Sequence, residues 1–486
     1  KGKIMREIQF ISQSVSLSLI IFISLIFVFL GIYHSKKYQG LKNYLTANRN
    51  IELFSLTTSL TASALGAWIL FGPVSAATWG GIGAIIGYSL GTAFPMFILI
   101  FLGKKIREEF PRGSSLIEFM RKKFRKSLFK LILLMTVFYM FIFLCAEVTA
   151  VAVLINYISG TEFWITALIV LLSTLAYTLY GGLKASIFTD NLQMVVIGIL
   201  LLFSYIYLNS TIGSQFSFEF VRERNPQLLS SLYIPNYTAG LTFFIAVAAT
   251  NLFHQGNWQR VYAAKNFETL KKSLIISFFV IIPIVFYMGF TGMVSFSQNP
   301  NVRPDLGFFS LLLKEQSTFL SFIVIILGLA LTISTVDTLI NAISSLIIVD
   351  GKATFNFKKK KNYSRVSKYL ILFLSFISFI VASKGFDILY LFLLADLFCC
   401  SFVLTIFLSF YDRNINEKTA YIAILIGLLG GFLMFPTPDF SKSFLVGVLI
   451  PKELFLPLIS QSLLFLSFAL ATFLPFLILK IKKLRY

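Results

Sequence analysis

Apolar stretches of about 18 or more residues recur from one end of the chain to the other, each long enough to cross a ~30 Å hydrocarbon core as a helix. Thirteen such spans are expected, centred near residues 21, 65, 90, 143, 171, 196, 250, 283, 330, 375, 398, 427 and 468. The alternating segments of about ten residues that build an outer-membrane barrel are not seen. The pattern predicts an all-α polytopic membrane protein. Its first run, FISQSVSLSLIIFISLIFVFLGIY, follows Lys1, Lys3 and Arg6. It is too long for a signal-peptide core and no small-x-small site follows it, so it is read as a retained helix.

Three places depart from ordinary membrane-helix chemistry. ALTISTVDTLINAISS (330–345) puts Ser334, Asp337, Thr338, Asn341 and Ser345 at i, i+3, i+4, i+7 and i+11, a polar stripe along one helix face. SLTASALGAWILFGPVSAATWGG (59–81) is crowded with small and hydroxyl residues and holds a Gly-Pro. AVAATNLFHQGNWQRVYAAKN (246–266) is interrupted by Asn251, His254, Gln255, Gly256 and Asn257. Gly and polar residues at membrane depth are tolerated where backbone lines a cavity or is buried in protein. With the first span set aside, the two interrupted helices are the first and sixth of the next ten. That placement points to two five-helix halves related as an inverted repeat.

Composition agrees with the pattern: 57% hydrophobic, 13% charged, mean hydropathy +0.84. Charge adds the topology. The net charge of +21 would suggest nucleic acid in a soluble chain, but about 32 of the 42 Lys and Arg fall in alternate loops. KKIREEFPRGSSLIEFMRKKFRK and KKKKNYSR lie on the rich side, which puts the N-terminus outside and the C-terminus inside. Cys145, Cys399 and Cys400 sit in apolar runs and read as small buried hydrophobes rather than as ligands or a disulfide. The longest stretches expected outside the membrane, 104–127, 209–236 and 350–366, are too short for an independent core. No GxxxxGK[ST] or HExxH occurs, so neither an enzyme nor an organic cofactor is expected.

Four stretches resemble the sodium/solute symporter family of sodium–sugar, sodium–proline and sodium–sialic-acid transporters. NYLTANRNIELFSLTTSLTASALGAW (43–68) is similar to the family's entry into its first core helix. YTLYGGLKASIFTDNLQ (177–193) matches its YGG…TD…Q junction, NLFHQGNWQRVYAAKN (251–266) its sixth core helix, and GLALTISTVDTLINAISS (328–345) its eighth. The resemblance covers roughly residues 40–410 and implies a LeuT-type 5+5 inverted repeat with about 13 transmembrane helices. The expected division is an extra helix in 1–40, a core over 41–410 with repeats at about 50–210 and 236–410, and two further helices in 411–486.

The resemblance also implies sites. A sodium ion would lie between the first and eighth core helices, on the carbonyls of Ala62, Leu65 and Leu331 and the hydroxyls of Ser334 and Thr335. A hard cation wants oxygen ligands, and an unwound helix frees carbonyls to supply them. The plainer alternative is that both hydroxyls bond back to carbonyls four residues earlier. Asp190, Asp337 and Thr338 are candidates for a second sodium, or for a structural or proton-titrating role. Solute-pocket candidates are Gly66, Trp68, Glu147, Asn251, His254, Gln255 and Asp396. Glu147 and Asp396 are single acids deep in apolar helices, so each needs a partner, which an amine-bearing solute could provide. A hexose is not expected, because the polar Gln/Glu set of the sugar branches is missing; FHQGNWQRVYAAK and ADLFC look nearer to the urea/polyamine-type branch. The expectation is a plasma (inner) membrane protein importing a small polar solute with sodium, its partners being solute, ion and bilayer. Proton-coupled or uncoupled transport, or a sensor domain working with a separate protein, are the rivals.

Overall fold

A computed structural model describes residues 9–37, 40–124, 126–351, 360–411, 415–456, 459 and 462–484. The basic segment 352–359 and the extreme ends lie outside the described residues. The described chain is helical apart from turns, isolated bridges and one long connection near the C-terminal end. The helices that matter below are α1 (Gln13–Lys37), α2 (Leu53–Ala64), α3 (Gly72–Glu109), α4 (Leu116–Lys123), α5 (Lys126–Ser159), α6 (Phe163–Ile212) and α7 (Ile234–Phe253). They continue with α8 (Gln255–Ala263), α9 (Phe267–Gln298), α10 (Thr318–Val349), α11 (Lys360–Ala382), α12 (Ile388–Ser409), α13 (Glu417–Met434) and α14 (Leu463–Leu484).

Ten of the described helices are long and apolar enough to cross a membrane. The thirteen expected spans are recovered once three features are counted. Helix α6 has 50 residues, about 75 Å if straight, and is broken by a kink at Gly182, where φ is +60°, so its two halves are each long enough to count as a crossing. The other two spans are discontinuous. One is α2, a break at Leu65–Gly66, and the start of α3 up to a turn at Gly81; the other is α7 and α8 joined through His254. Gly81 also has positive φ, and a Cβ there would lie 2.2 Å from the Leu228 carbonyl, so only glycine fits that turn.

Packing shows why small residues crowd α3. A Cβ on Gly83 would come within 1.7 Å of the Asn236 carbonyl, and one on Gly87 within 2.1 Å of the Gly240 carbonyl. Helices α3 and α7 therefore touch backbone to backbone, the close approach that glycine permits in membrane bundles. Helix α10 is buried from Leu320 to Ile347 almost without a gap, which is how its polar stripe avoids lipid. Helix α1 lies against α6 on the outside of the bundle, and α13 and α14 pair beside α12.

The ends of the two broken helices nearest the basic loops are laced together. Ile51 and Ala264 form a parallel bridge, Ile51 N–H donating to Ala263 O at 3.1 Å and Lys265 N–H to Ile51 O at 3.0 Å. Arg107 donates to the Val261 and Ala264 carbonyls, and Arg49 to those of Pro111 and Gly113. One stretch departs from expectation: the connection 435–462, with bridges at Pro436–Ser443 and Val446–Ile450, is as long as the longest stretch expected outside the membrane, 209–236, and was not itself foreseen. Its apolar SFLVGVLI run masks it in a hydropathy reading.

Candidate functional site

The site is organised by the two helix breaks. At the first, Leu65 and Gly66 adopt extended backbone, and the amides that follow lack helical acceptors. Glu147, wholly buried on α5, supplies one: its Oε2 accepts from Ala67 N–H at 2.9 Å. At the second break, side chains of α8 turn back to serve the end of α7. Asn257 Nδ2 donates to Asn251 O at 3.0 Å and Trp258 Nε1 to Leu252 O at 2.7 Å.

The hydroxyl stripe of α10 faces α6 and α8. Ser334 Oγ donates to Asp190 Oδ1 at 2.7 Å, and Thr335 Oγ1 donates to Leu331 O at 3.2 Å. Asp190 forms a wholly buried ion pair with Arg260, 2.6 Å between Nη2 and Oδ2. The guanidinium also donates to Ser59 Oγ at 2.6 Å, to Gly256 O at 3.0 Å and to Thr338 Oγ1 at 3.1 Å. Asp337, one turn further on, accepts hydroxyl hydrogen bonds from Tyr177 at 2.7 Å, Ser186 at 2.8 Å and Thr189 at 3.1 Å.

Beside the breaks lies a narrow cavity of about 30 Å³, room for a water or two. It is lined by Trp68, Tyr88, Phe143, Asn251, His254 and Asp396, among others. Trp68 and Tyr88 stack at 5.7 Å between centroids. Asp396 Oδ1 accepts from Thr250 Oγ1 at 2.6 Å, and among the described residues no Lys, Arg or His forms an ion pair with it. Both ring nitrogens of His254 are buried without a hydrogen-bond partner. A larger cavity of about 580 Å³ lies at the end away from the basic loops, lined by Trp79, Arg303, Asp305 and Asp387 among others.

A family model, "Sodium:solute symporter family", matches residues 44–427. The chain belongs to the sodium:solute symporter family. Its relatives in that family include a spermidine transporter of Candida albicans, 26% identical over 82% of this chain and 76% of that protein. Another is a rabbit (Oryctolagus cuniculus) sodium/myo-inositol cotransporter 2, 24% identical over 82% of this chain. The symporter chain spans only 66% of that cotransporter's length. Among solved structures, a sodium-coupled sialic acid symporter in an outward-open state superposes with a TM-score of 0.76 at 14% identity. It covers 97% of this chain and 98% of that one, and MhsT bound to L-phenylalanine gives 0.51 at 13% identity over 90% and 99%. The fold is therefore the LeuT type, and the chain is a multi-pass membrane transport protein rather than an enzyme.

The symporter fold brings some expected residues together and separates others. Ala62, Leu65, Leu331, Ser334 and Thr335 are all buried around the first break, and a Cβ on Gly66 would lie 2.8 Å from Thr335 Oγ1. Asp190 and Thr338 meet through Arg260, so the positive charge between them comes from the protein; Asp337 turns to hydroxyls of α6. Trp68, Asn251, His254 and Asp396 share the cavity, whereas Gly66, Glu147 and Gln255 do not line it. Gln255 Nε2 instead donates to Ser114 O at 3.2 Å, toward the basic loops. Arg260 went unrecognised as a site residue because a basic side chain next to a basic loop counts naturally as a topology signal. Its place between Trp258 and Ala263, inside a span, was the available clue. Tyr88, Thr250 and Phe143 carry no signal in the sequence that sets them apart from neighbouring aromatic and hydroxyl residues.

Proposed function

We propose that the chain is a sodium-coupled symporter that imports a small amine-bearing, cationic solute across the plasma membrane by alternating access. The observation that carries the solute class is Asp396. A carboxylate buried among Trp68, Tyr88 and Phe143, with a threonine hydroxyl but, among the described residues, no cation beside it, suits an ammonium group, which gains both the ion pair and the ring faces. The spermidine transporter among its relatives supports the same class. Sodium is assigned to Ala62, Leu65, Leu331, Ser334 and Thr335, where a helix break meets two hydroxyls. The ion gradient supplies the driving free energy, and ligands drawn from two helices let the ion's arrival fix their spacing. The cavity is smaller than any organic solute, so binding one requires the helices around it to part. A neutral polyol is the second reading, resting on the myo-inositol cotransporters among its relatives.

The test is uptake into proteoliposomes under an inward sodium gradient, with spermidine, putrescine, lysine and myo-inositol as labelled solutes and potassium as the control ion. A polyamine or amine should accumulate with sodium only. Asp396→Asn should cut that uptake at least tenfold, and Ser334→Ala with Thr335→Ala should abolish its sodium dependence while the protein still inserts. Uptake of myo-inositol alone, or full amine uptake by Asp396→Asn, would overturn the solute class. Equal uptake in potassium would overturn the coupling.

A further inference from the structure

We propose that Glu147 is a ligand of the coupling cation, so that the site between α2 and α10 is a carboxylate-bearing site and not a ring of neutral oxygens. The inference rests on the sodium assignment above and adds a residue to it. Glu147 divides its work between its two oxygens. Oε2 is taken by the Ala67 amide at 2.9 Å; Oε1 is buried and has no hydrogen-bond partner. The direction of that orphan oxygen is defined by Gly66. A Cβ built on Gly66 would lie 2.2 Å from Glu147 Oε1 and 2.8 Å from Thr335 Oγ1. The two oxygens thus flank one point, beside the unwound backbone that follows Leu65, and glycine alone keeps that point open.

Charge accounting leads to the same residue. A monovalent cation held only by carbonyls and hydroxyls would be a buried net charge, which is strongly unfavourable unless paired. Asp190 receives the Ser334 hydroxyl, but its charge is matched by Arg260. Asp337 is turned to α6, with both oxygens occupied by hydroxyl donors. Asp396 lines the cavity and bonds Thr250. Of the acids on these helices, Glu147 has the free oxygen that faces Thr335. Its other oxygen is anchored to the break itself, so the same carboxylate holds the unwound segment in shape and faces the ion. Loss of the ion would then leave an unpaired carboxylate against Gly66, a bias toward rearrangement of the break.

The experiment is equilibrium binding of ²²Na⁺ to the purified full chain, competed with unlabelled sodium or potassium, for the parent, Thr335→Ala and Glu147→Gln. Glutamine keeps an acceptor for the Ala67 amide while replacing the charge and the Oε1 ligand by an amide NH2. The expected result is sodium-specific binding by the parent, with affinity lowered tenfold or more in both variants. Sodium binding lost in Thr335→Ala but unchanged in Glu147→Gln would overturn the role of Glu147 and leave the hydroxyl site standing. No sodium-specific binding by the parent would overturn both. Should Glu147→Gln fail to fold, the parent decides: a hydrophobic carbodiimide should modify Glu147, read by peptide mass, and sodium but not potassium should protect it. Modification of Glu147 that sodium leaves unchanged would overturn the proposal.

Discussion

Arg260→Met removes the cation of the Asp190–Arg260 pair, and the structure sets the size of the effect. Both side chains are fully buried, 2.6 Å apart, and the guanidinium makes three further hydrogen bonds, to Ser59, Gly256 O and Thr338. Methionine matches the volume but leaves Asp190 with only the hydroxyls of Ser59 and Ser334. Breaking a buried pair from one side costs about 3–5 kcal/mol, because an uncompensated charge remains. Asp190→Asn strands the guanidinium and should cost a similar amount. The double variant Asp190→Asn with Arg260→Met removes both charges, so its loss should fall short of the sum by about 2 kcal/mol or more. The assay is SDS titration in mixed micelles, followed by helicity, for all four proteins of the cycle. Single variants within about 1 kcal/mol of the parent, or losses that simply add, would refute the claim that this pair binds α6 to α8.

Three further outcomes are expected. In Arg260→Met the group Asp190, Asp337 and Thr338 has lost its internal cation, so sodium should stabilise that variant more than it does the parent, read as the sodium-dependent shift in unfolding temperature against potassium. Gly83→Ala places a methyl 1.7 Å from the Asn236 carbonyl, so α3 and α7 must separate; a loss of about 3 kcal/mol or more in the same titration is expected, against under 1 kcal/mol for Gly198→Ala, which meets open space. Asp350, at the end of α10, accepts from Ser115 Oγ at 2.8 Å; burial pushes its carboxyl up to about 7, Glu118 adding to the rise while Ser115 and Arg121 oppose it. A raised acid stabilises the folded state below its unfolded value near 4 and loses that contribution as pH climbs through 7. Unfolding temperature should therefore fall between pH 5 and pH 8 in the parent, and the slope should flatten in Asp350→Asn.

The run of apolar segments, the two polar interruptions and the hydroxyl stripe were legible in the sequence because a bilayer enforces them. Span length follows from bilayer thickness, and a polar group inside must be conspicuous against its background. The same logic picked out Glu147, Asp190, Asp337 and Asp396 as residues needing partners, since an acid in an apolar helix announces itself. What each acid pairs with was beyond the sequence. Glu147 and Asp396 look alike along the chain, yet one reaches the amide of a broken helix and the other enters an aromatic cavity. Asp190 and Asp337 sit near one another, yet Arg260, 70 residues on from Asp190, takes the first while three hydroxyls take the second. The loop 435–462 was hidden for the opposite reason, its apolar residues matching the surrounding spans. Periodicity and hydropathy are properties of neighbours along the chain and so determine the spans. Compensation of a buried charge depends on which helices meet at a given depth, and only the packed bundle decides that.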